Sequence, residues 1–272
     1  MGKRLRMYIP FLRAGIQSSL AYRANFIFVT FGNLLVCFVS FFLWKATFSS
    51  SNRADFLGFS LANMVVYIFV SFFTSTVVDS WAGWNLGAEI KSGDISMRII
   101  KPVNFIQTFL FHELGEKALT RFVLFIPVII GIELYRSFIT GIVQFSISLF
   151  FLYIFSLLLA ALLNFYINIC YGFIAFFIKN LWGSQMMKNA IIAFMSGAII
   201  PIAFFPKQIQ SVFTILPFSS VNYTPIMIYI GMYNCNQIII RLLLQIFWLF
   251  VFVCLSKVIW KYAIKRLCVQ GG

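Results

Sequence analysis

The chain has 272 residues, of which 61% are hydrophobic and only 10% charged, and its mean hydropathy is +0.94. A soluble domain carries about 25% charged residues, so the composition excludes a water-solvated globule and indicates an integral membrane protein. The net charge of +14 does not indicate nucleic acid, because the basic residues form no stripe on a soluble module. They gather at the ends of apolar runs, the pattern that Lys and Arg retained on the cytoplasmic side produce.

The first 25 residues carry Leu5, Tyr8, Ile9, Leu12 and Ile16 at helical spacing, with Arg6 and Arg13 among them. This suits an interfacial helix lying along the inner membrane surface, with Pro10 placed to start or kink it. Lys3-Arg4-Leu5-Arg6 leads into that stretch rather than into an apolar core with a small-residue cleavage site, so no cleavable signal peptide is expected.

A helix crossing the hydrocarbon core needs about 20 apolar residues. Residues 26–44 and 61–81 meet this, separated by the polar loop from Ser49 to Asp55. The longest polar segment follows, 85–117, and then a third span, 118–134, closed by a polar turn around Arg136. Residues 140–178 form one apolar run. Read as a single crossing, it puts Lys179, Lys188, Lys257, Lys261, Lys265 and Arg266 inside, and Lys207 and Arg241 outside. Two crossings invert that ratio against the positive-inside rule, so one crossing is expected. The fifth span, 190–205, is short and interrupted by Pro201 before Pro206. Beyond it Pro217, Ser219, Ser220, Asn222 and Pro225 break the apolar pattern. Backbone of this kind cannot face lipid, so 208–232 reads as a pair of short re-entrant or interfacial helices on the outer side. The last span is 242–260. The whole chain thus reads as a single transmembrane domain of six helices, all-α, with both termini cytoplasmic and 16 of the 21 basic residues inside.

Missing chemistry narrows the function. No Gly-x-x-x-x-Gly-Lys-Ser/Thr loop is present, so ATP is not bound in that manner. His112 is the sole histidine and lies in the polar segment, where neither a zinc protease nor a Ser-His hydrolase can be assembled around it. The cysteines Cys37, Cys170, Cys235, Cys254 and Cys268 show neither metal-ligand spacing nor a disulfide framework. Asp79 and Glu133 fall near span ends, where water can reach them, and Lys257 can snorkel to the inner face, so an ion relay is poorly supported. Asn33, Gln144, Ser146, Ser148, Asn164 and Asn168 are interior polar residues that either glue helices together or line a path.

One polar stretch stands out, Gly87-Ala88-Glu89-Ile90-Lys91-Ser92-Gly93-Asp94-Ile95-Ser96-Met97-Arg98-Ile99-Ile100-Lys101-Pro102. Ile90, Met97 and Ile100 can share a face, while Lys91, Asp94, Arg98 and Lys101 stay polar. Gly93 weakens a continuous helix, which predicts a short helix, a bend and another turn stopped before Pro102. Such an element either docks into a groove on a partner or lies on lipid.

Glu89-Ile-Lys-Ser-Gly93 followed by Ile99-Ile100-Lys101-Pro102 resembles the loop after the second span in membrane subunits of ATP-binding cassette exporters of the type-2 permease family. Tyr22-Arg23-Ala24-Asn25-Phe26 resembles the same family's approach to its first span. Ser196-Gly197-Ala198-Ile199-Ile200-Pro201-Ile202-Ala203-Phe204-Phe205-Pro206, with Leu216-Pro217-Phe218, resembles its fifth span and outer re-entrant helices. The resemblance implies a permease subunit in the plasma membrane, bacterial in type, forming half of a translocation path. Glu89, Ile90, Lys91, Ser92, Gly93, Asp94, Met97, Arg98 and Pro102 would form a coupling helix, with Tyr22 and Arg23 in a connecting helix and Gly197, Pro201, Pro206 and Pro217 in the re-entrant gate. It also implies two copies of a separate ATPase subunit that binds ATP and Mg, a second permease that is identical or related, and no cofactor or catalytic residue in this chain. The apolar, aromatic spans suit an amphipathic or lipid-like cargo. The competing readings are a membrane-embedded enzyme and a non-transporting scaffold or immunity-type protein.

Overall fold

The computed structural model describes residues 6–51, 55–140, 146–178 and 181–266. The expectations placed on Lys3, Arg4, Leu5, Arg53, Gln144, Lys179 and Cys268 lie outside them. In chain order the α-helices are α1 (Ile9–Ala21), α2 (Arg23–Ser51), α3 (Leu61–Val78), α4 (Ala82–Ser92), α5 (Ile95–Ile99), α6 (Phe105–Thr140), α7 (Ile147–Gly172), α8 (Trp182–Met195), α9 (Lys207–Ile215), α10 (Tyr223–Ile230) and α11 (Cys235–Ala263). A two-residue antiparallel ribbon, β1 (Asp55–Phe56) and β2 (Phe59–Ser60), joins α2 to α3.

Among the described residues four segments are long and apolar enough to cross a membrane: Arg23–Ser50, Leu61–Ser92, Ile147–Phe176 and Cys235–Ala263. They correspond to the first, second, fourth and last expected spans. The first is longer than the composition suggests. Ser49 and Ser50 continue α2 by turning their hydroxyls back onto the carbonyls of Lys45 and Thr47, a local bond that keeps serine helical.

The other two expected spans take different forms. Residues 118–134 lie inside α6, a helix of 36 residues and about 54 Å. This helix also absorbs 105–117, read from the sequence as loop. Its charges are helical partners: Lys117 binds Glu113 one turn away at 2.7 Å. The fifth span was expected as 190–205, but the helix is α8, which starts at Trp182 and stops at Met195. It stops because Gly197 takes φ +76 and Pro201 enters an extended conformation at ψ 136. Neither geometry continues an α-helix.

The core falls into two clusters. The larger holds α3, α7 and α10 together through Tyr67, Phe73, Tyr153, Leu163 and Ile226. The smaller lies where α4, α5 and the start of α6 meet the end of α7, and is built on Leu86, Ile95, Phe109, Ile169 and Phe173. There Trp260 of α11 stacks on Phe105 with ring centroids 4.4 Å apart. Helix contacts at this end are very close. A Cβ on Gly83 of α4 would strike the Asn168 carbonyl of α7, and one on Gly172 would meet Gly83. Small residues allow such approach where water supplies no hydrophobic drive between helices.

The same device seats α1. Its Pro10 occupies the first turn, starting the helix rather than kinking it. Gly15 rests against the His112 carbonyl of α6, and Gly115 of α6 against the Leu12 carbonyl. Tyr8 stacks on Phe111 at 5.0 Å. Helix α1 is therefore docked on protein, and Ile9, expected on its apolar face, is exposed instead.

Candidate functional site

The polar stretch after α3 has the shape read from its glycine. Helix α4 ends at Gly93 in the left-handed region at φ 84, and α5 begins two residues later. Arg98 fixes the angle between them. Its Nε donates to Glu89 Oε2 at 2.8 Å and its Nη2 to Glu89 Oε1, a two-pronged pair that bridges α5 to α4. Its Nη1 donates to Thr108 Oγ1 of α6 at 2.9 Å, and its guanidinium lies 4.1 Å from the Phe109 ring centroid. Arg is suited to this task because its planar fork can satisfy a carboxylate and a third acceptor at once. Ser92 Oγ donates to Asp94 Oδ2 at 2.6 Å across the bend.

The expected shared face of Ile90, Met97 and Ile100 is not formed. The bend turns Ile90 inward with Ile95 and Ile99 onto the smaller core cluster, whereas Met97 and Ile100 are 70% and 79% exposed. Lys91, Ser92, Gly93, Asp94, Lys101 and Pro102 are exposed beside them. The result is a small apolar knob in a polar collar. Glu89 and Arg98 lie behind it as its internal brace. Tyr22 and Arg23 are exposed at the α1–α2 junction, away from this knob's internal bonds.

The second feature is the broken segment between α8 and α10. Its backbone lies against α3, which satisfies it with hydroxyls: Tyr67 donates to the Gly197 carbonyl at 2.5 Å and Ser71 to that of Ala198 at 2.9 Å. Asn222 donates to Ser196 Oγ, and the Tyr223 amide to the Ser196 carbonyl. Ser75, about 21 Å along α3 from Leu61, reaches Asn222 Oδ1 at 3.4 Å. The turn before α10 therefore penetrates deep beside α3, and all eight residues of α10 are buried. Gln245 of α11 ties the same turn down, donating to the carbonyls of Ser220 and Ser156. Pro201 and Pro206 precede the short 3-10 turn and α9, and Pro217 opens the turn before α10. None of the residues of α9 is buried.

Between α2, α3 and α8 runs a cleft of about 740 Å³. The otherwise apolar α2 turns one face toward it, with Thr30, Asn33, Cys37 and Ser40 at three- and four-residue steps. Val36 and Ile68 supply apolar wall, and Ser71 lines the cleft as well. Asn164 and Asn168 both line it and hold helices together. Asn164 donates to the Val78 carbonyl at 2.7 Å, and Asn168 accepts from Lys188 of α8. Of the two expected roles, the bonds between helices are present at these two residues. The stripe on α2 was missed in the sequence apart from Asn33; its signal was the helical spacing of four small polar side chains in a run of Phe, Val and Leu. Among the described residues no group of three His, Cys, Asp or Glu could hold a metal ion.

The family model for ABC-2 family transporter proteins matches residues 34–271. The chain belongs to that family. No curated protein matches it. As an ABC-2 family member with four membrane-length apolar segments, it is a multi-pass membrane protein and a permease component of an ABC transporter. Membership implies association with an ABC ATPase and a transport role rather than a catalytic one. The match covers the knob, the broken segment and the cleft lining from Val36 onward, but excludes α1 and the start of α2, with Thr30 and Asn33 of the polar stripe.

Proposed function

We propose that the chain is one permease of an exporter whose motion is supplied by a separate ATPase subunit, and that α4 and α5 form its coupling element. The observation that carries this reading is the exposed pair Met97 and Ile100, held in place by the Glu89–Arg98 brace. A lipid-lying helix would need a continuous apolar stripe, whereas here a two-residue knob is surrounded by polar groups, as a peg for a protein groove is. Six crossings, with α6 and the broken α8 segment as the third and fifth, keep both termini and the knob on the cytoplasmic side of a bacterial plasma membrane. In this reading ATP and Mg are bound by two copies of the ATPase, and a second permease, identical or related, closes the path. Helices α9 and α10 act as the outer re-entrant gate.

The test is purification from native cells in mild detergent, with identification of co-purifying chains. A stoichiometric ATPase that is lost on Met97→Asp with Ile100→Asp, while the permease still inserts, is expected. Retention of the ATPase by that double variant would place docking elsewhere. A partner-free protein would overturn the exporter reading.

A further inference from the structure

We propose that the outward face of α11 binds an anionic phospholipid, with the headgroup at Lys257, Lys261 and Lys265 and an acyl chain along Leu243, Phe247 and Phe250. The helix has 29 residues, about 43 Å, and so outruns a hydrocarbon core of about 30 Å. Leu243, Phe247, Phe250, Lys257 and Lys261 follow one another at steps of three, four or seven residues, which keeps them on one stripe, and all are exposed. The opposite side is spent on protein: Ile238, Gln245 and Ser256 are buried there, and Trp260 stacks on Phe105. Lys265, also exposed, follows in the 3-10 turn Ile264–Arg266. Phe247 and Lys257 are about 15 Å apart along the helix, the hydrocarbon depth of one leaflet. The stripe thus changes from apolar to basic at the depth where a lipid does. Long lysine stems let Lys257 reach outward and Lys265 reach back, so their ammoniums can converge with that of Lys261 on one headgroup.

Charge identifies the occupant. Among the described residues the three lysines form no hydrogen bond or ion pair; the Lys265 ammonium lies 5.9 Å from the Tyr262 ring centroid. The acidic residues that could offset them are engaged elsewhere: Glu89 with Arg98, Glu113 with Lys117, Glu133 with Arg136, and Asp79 and Glu116 with the buried Arg121. Arg241, toward the other end of α11, is by contrast held by protein, donating to the Thr214 carbonyl at 2.7 Å. A second copy of this chain packed on the stripe about a two-fold axis along the membrane normal would set lysine against lysine. An anionic lipid supplies both the opposite charge and the apolar contact that the stripe lacks.

The measurement is native mass spectrometry of the full chain, with whatever subunits co-purify, in neutral detergent. Phosphatidylglycerol and phosphatidylcholine with the same acyl chains are titrated in separately. Saturable retention of phosphatidylglycerol over phosphatidylcholine is expected, weakened about fivefold by Lys257→Gln or Lys261→Gln and about 25-fold by both. Removing two exposed lysines elsewhere, with Lys45→Gln and Lys207→Gln, should leave it within twofold of wild type. Phe247→Ala with Phe250→Ala keeps every charge and should also weaken retention; it serves if the lysine variants fail to insert. Inorganic phosphate should not displace the lipid, because it lacks the chain. Equal retention of the two lipids, equal losses in the two lysine pairs, or displacement by phosphate would overturn the proposal. So would a dimer of this chain that retains no lipid and dissociates in the Lys257 and Lys261 double variant. The outcome is independent of the exporter reading, which the presence or absence of an ATPase in the same spectra tests separately.

Discussion

Removing the Glu89 carboxylate should loosen α5 by a calculable amount. The Arg98 and Glu89 side chains are 19% and 23% exposed. Exposed ion pairs contribute about 0–1 kcal/mol, and breaking a fully buried one costs about 3–5 kcal/mol. Hydrogen bonds to charged groups contribute about 1.5–3 kcal/mol, and Glu89→Gln retains one weakened acceptor of the two. A cost of about 2 kcal/mol follows, or about 30-fold in the equilibrium between closed and open α5. The amides of Ser96 and Met97 bond to the carbonyls of Gly93 and Asp94, so their hydrogen exchange reports that opening directly. Hydrogen–deuterium exchange with fragment analysis should show them about 30-fold faster in Glu89→Gln. Arg98→Lys should be intermediate, because an ammonium keeps the charge but loses the fork and the reach to Thr108. Exchange in Glu89→Gln within twofold of wild type would show that the brace does not set the angle, and the calculation would fail.

Gly93→Ala should cost about 1–2 kcal/mol from backbone strain alone, since φ is 84 and a Cβ there would meet nothing within 4 Å. Gly93→Pro should cost more, because proline fixes φ near −65°; trypsin cleavage rates at Lys91 and Arg98 rank the two. On α6, Gly115→Ala should release α1 and speed trypsin cleavage after the already exposed Arg13, whereas Gly131→Ala, whose Cβ meets nothing, should be neutral or slightly stabilising. Tyr67→Phe should lower thermal stability in detergent by about 1–3 kcal/mol, because the buried Gly197 carbonyl then loses the hydroxyl donated to it at 2.5 Å.

The sequence made some of this plain and hid the rest for physical reasons. The bend at Gly93 and the stop before Pro102 were legible because glycine and proline act on their own backbone. The same holds for the paired short helices after Pro206, where repeated breakers forbid a span. The start of α6 was not legible: Glu113 and Lys117 look like solvated loop until they are seen as one turn of a helix. Likewise α8 begins eight residues before its expected start, because Lys188 finds a partner at Asn168 of α7 and the Gln185 amide nitrogen one at Asn189 within the helix itself. The Glu89–Arg98 brace spans nine residues and a chain reversal, so no helical spacing announces it. It also places both side chains beneath the exposed Met97 and Ile100 rather than beside them.

The glycine seats at Gly15, Gly83, Gly115 and Gly172 bear on how such a chain can drift. Most of its positions need only an apolar side chain of suitable bulk, and substitutions among Leu, Ile, Val and Phe leave them in service. A seat has no such latitude, since its neighbour is another helix's main chain and cannot shrink in compensation. Distant relatives should therefore look unlike this chain almost everywhere except at these few points. The spacing of the seats, more than any stretch of similarity, would then be the mark by which they are recognised.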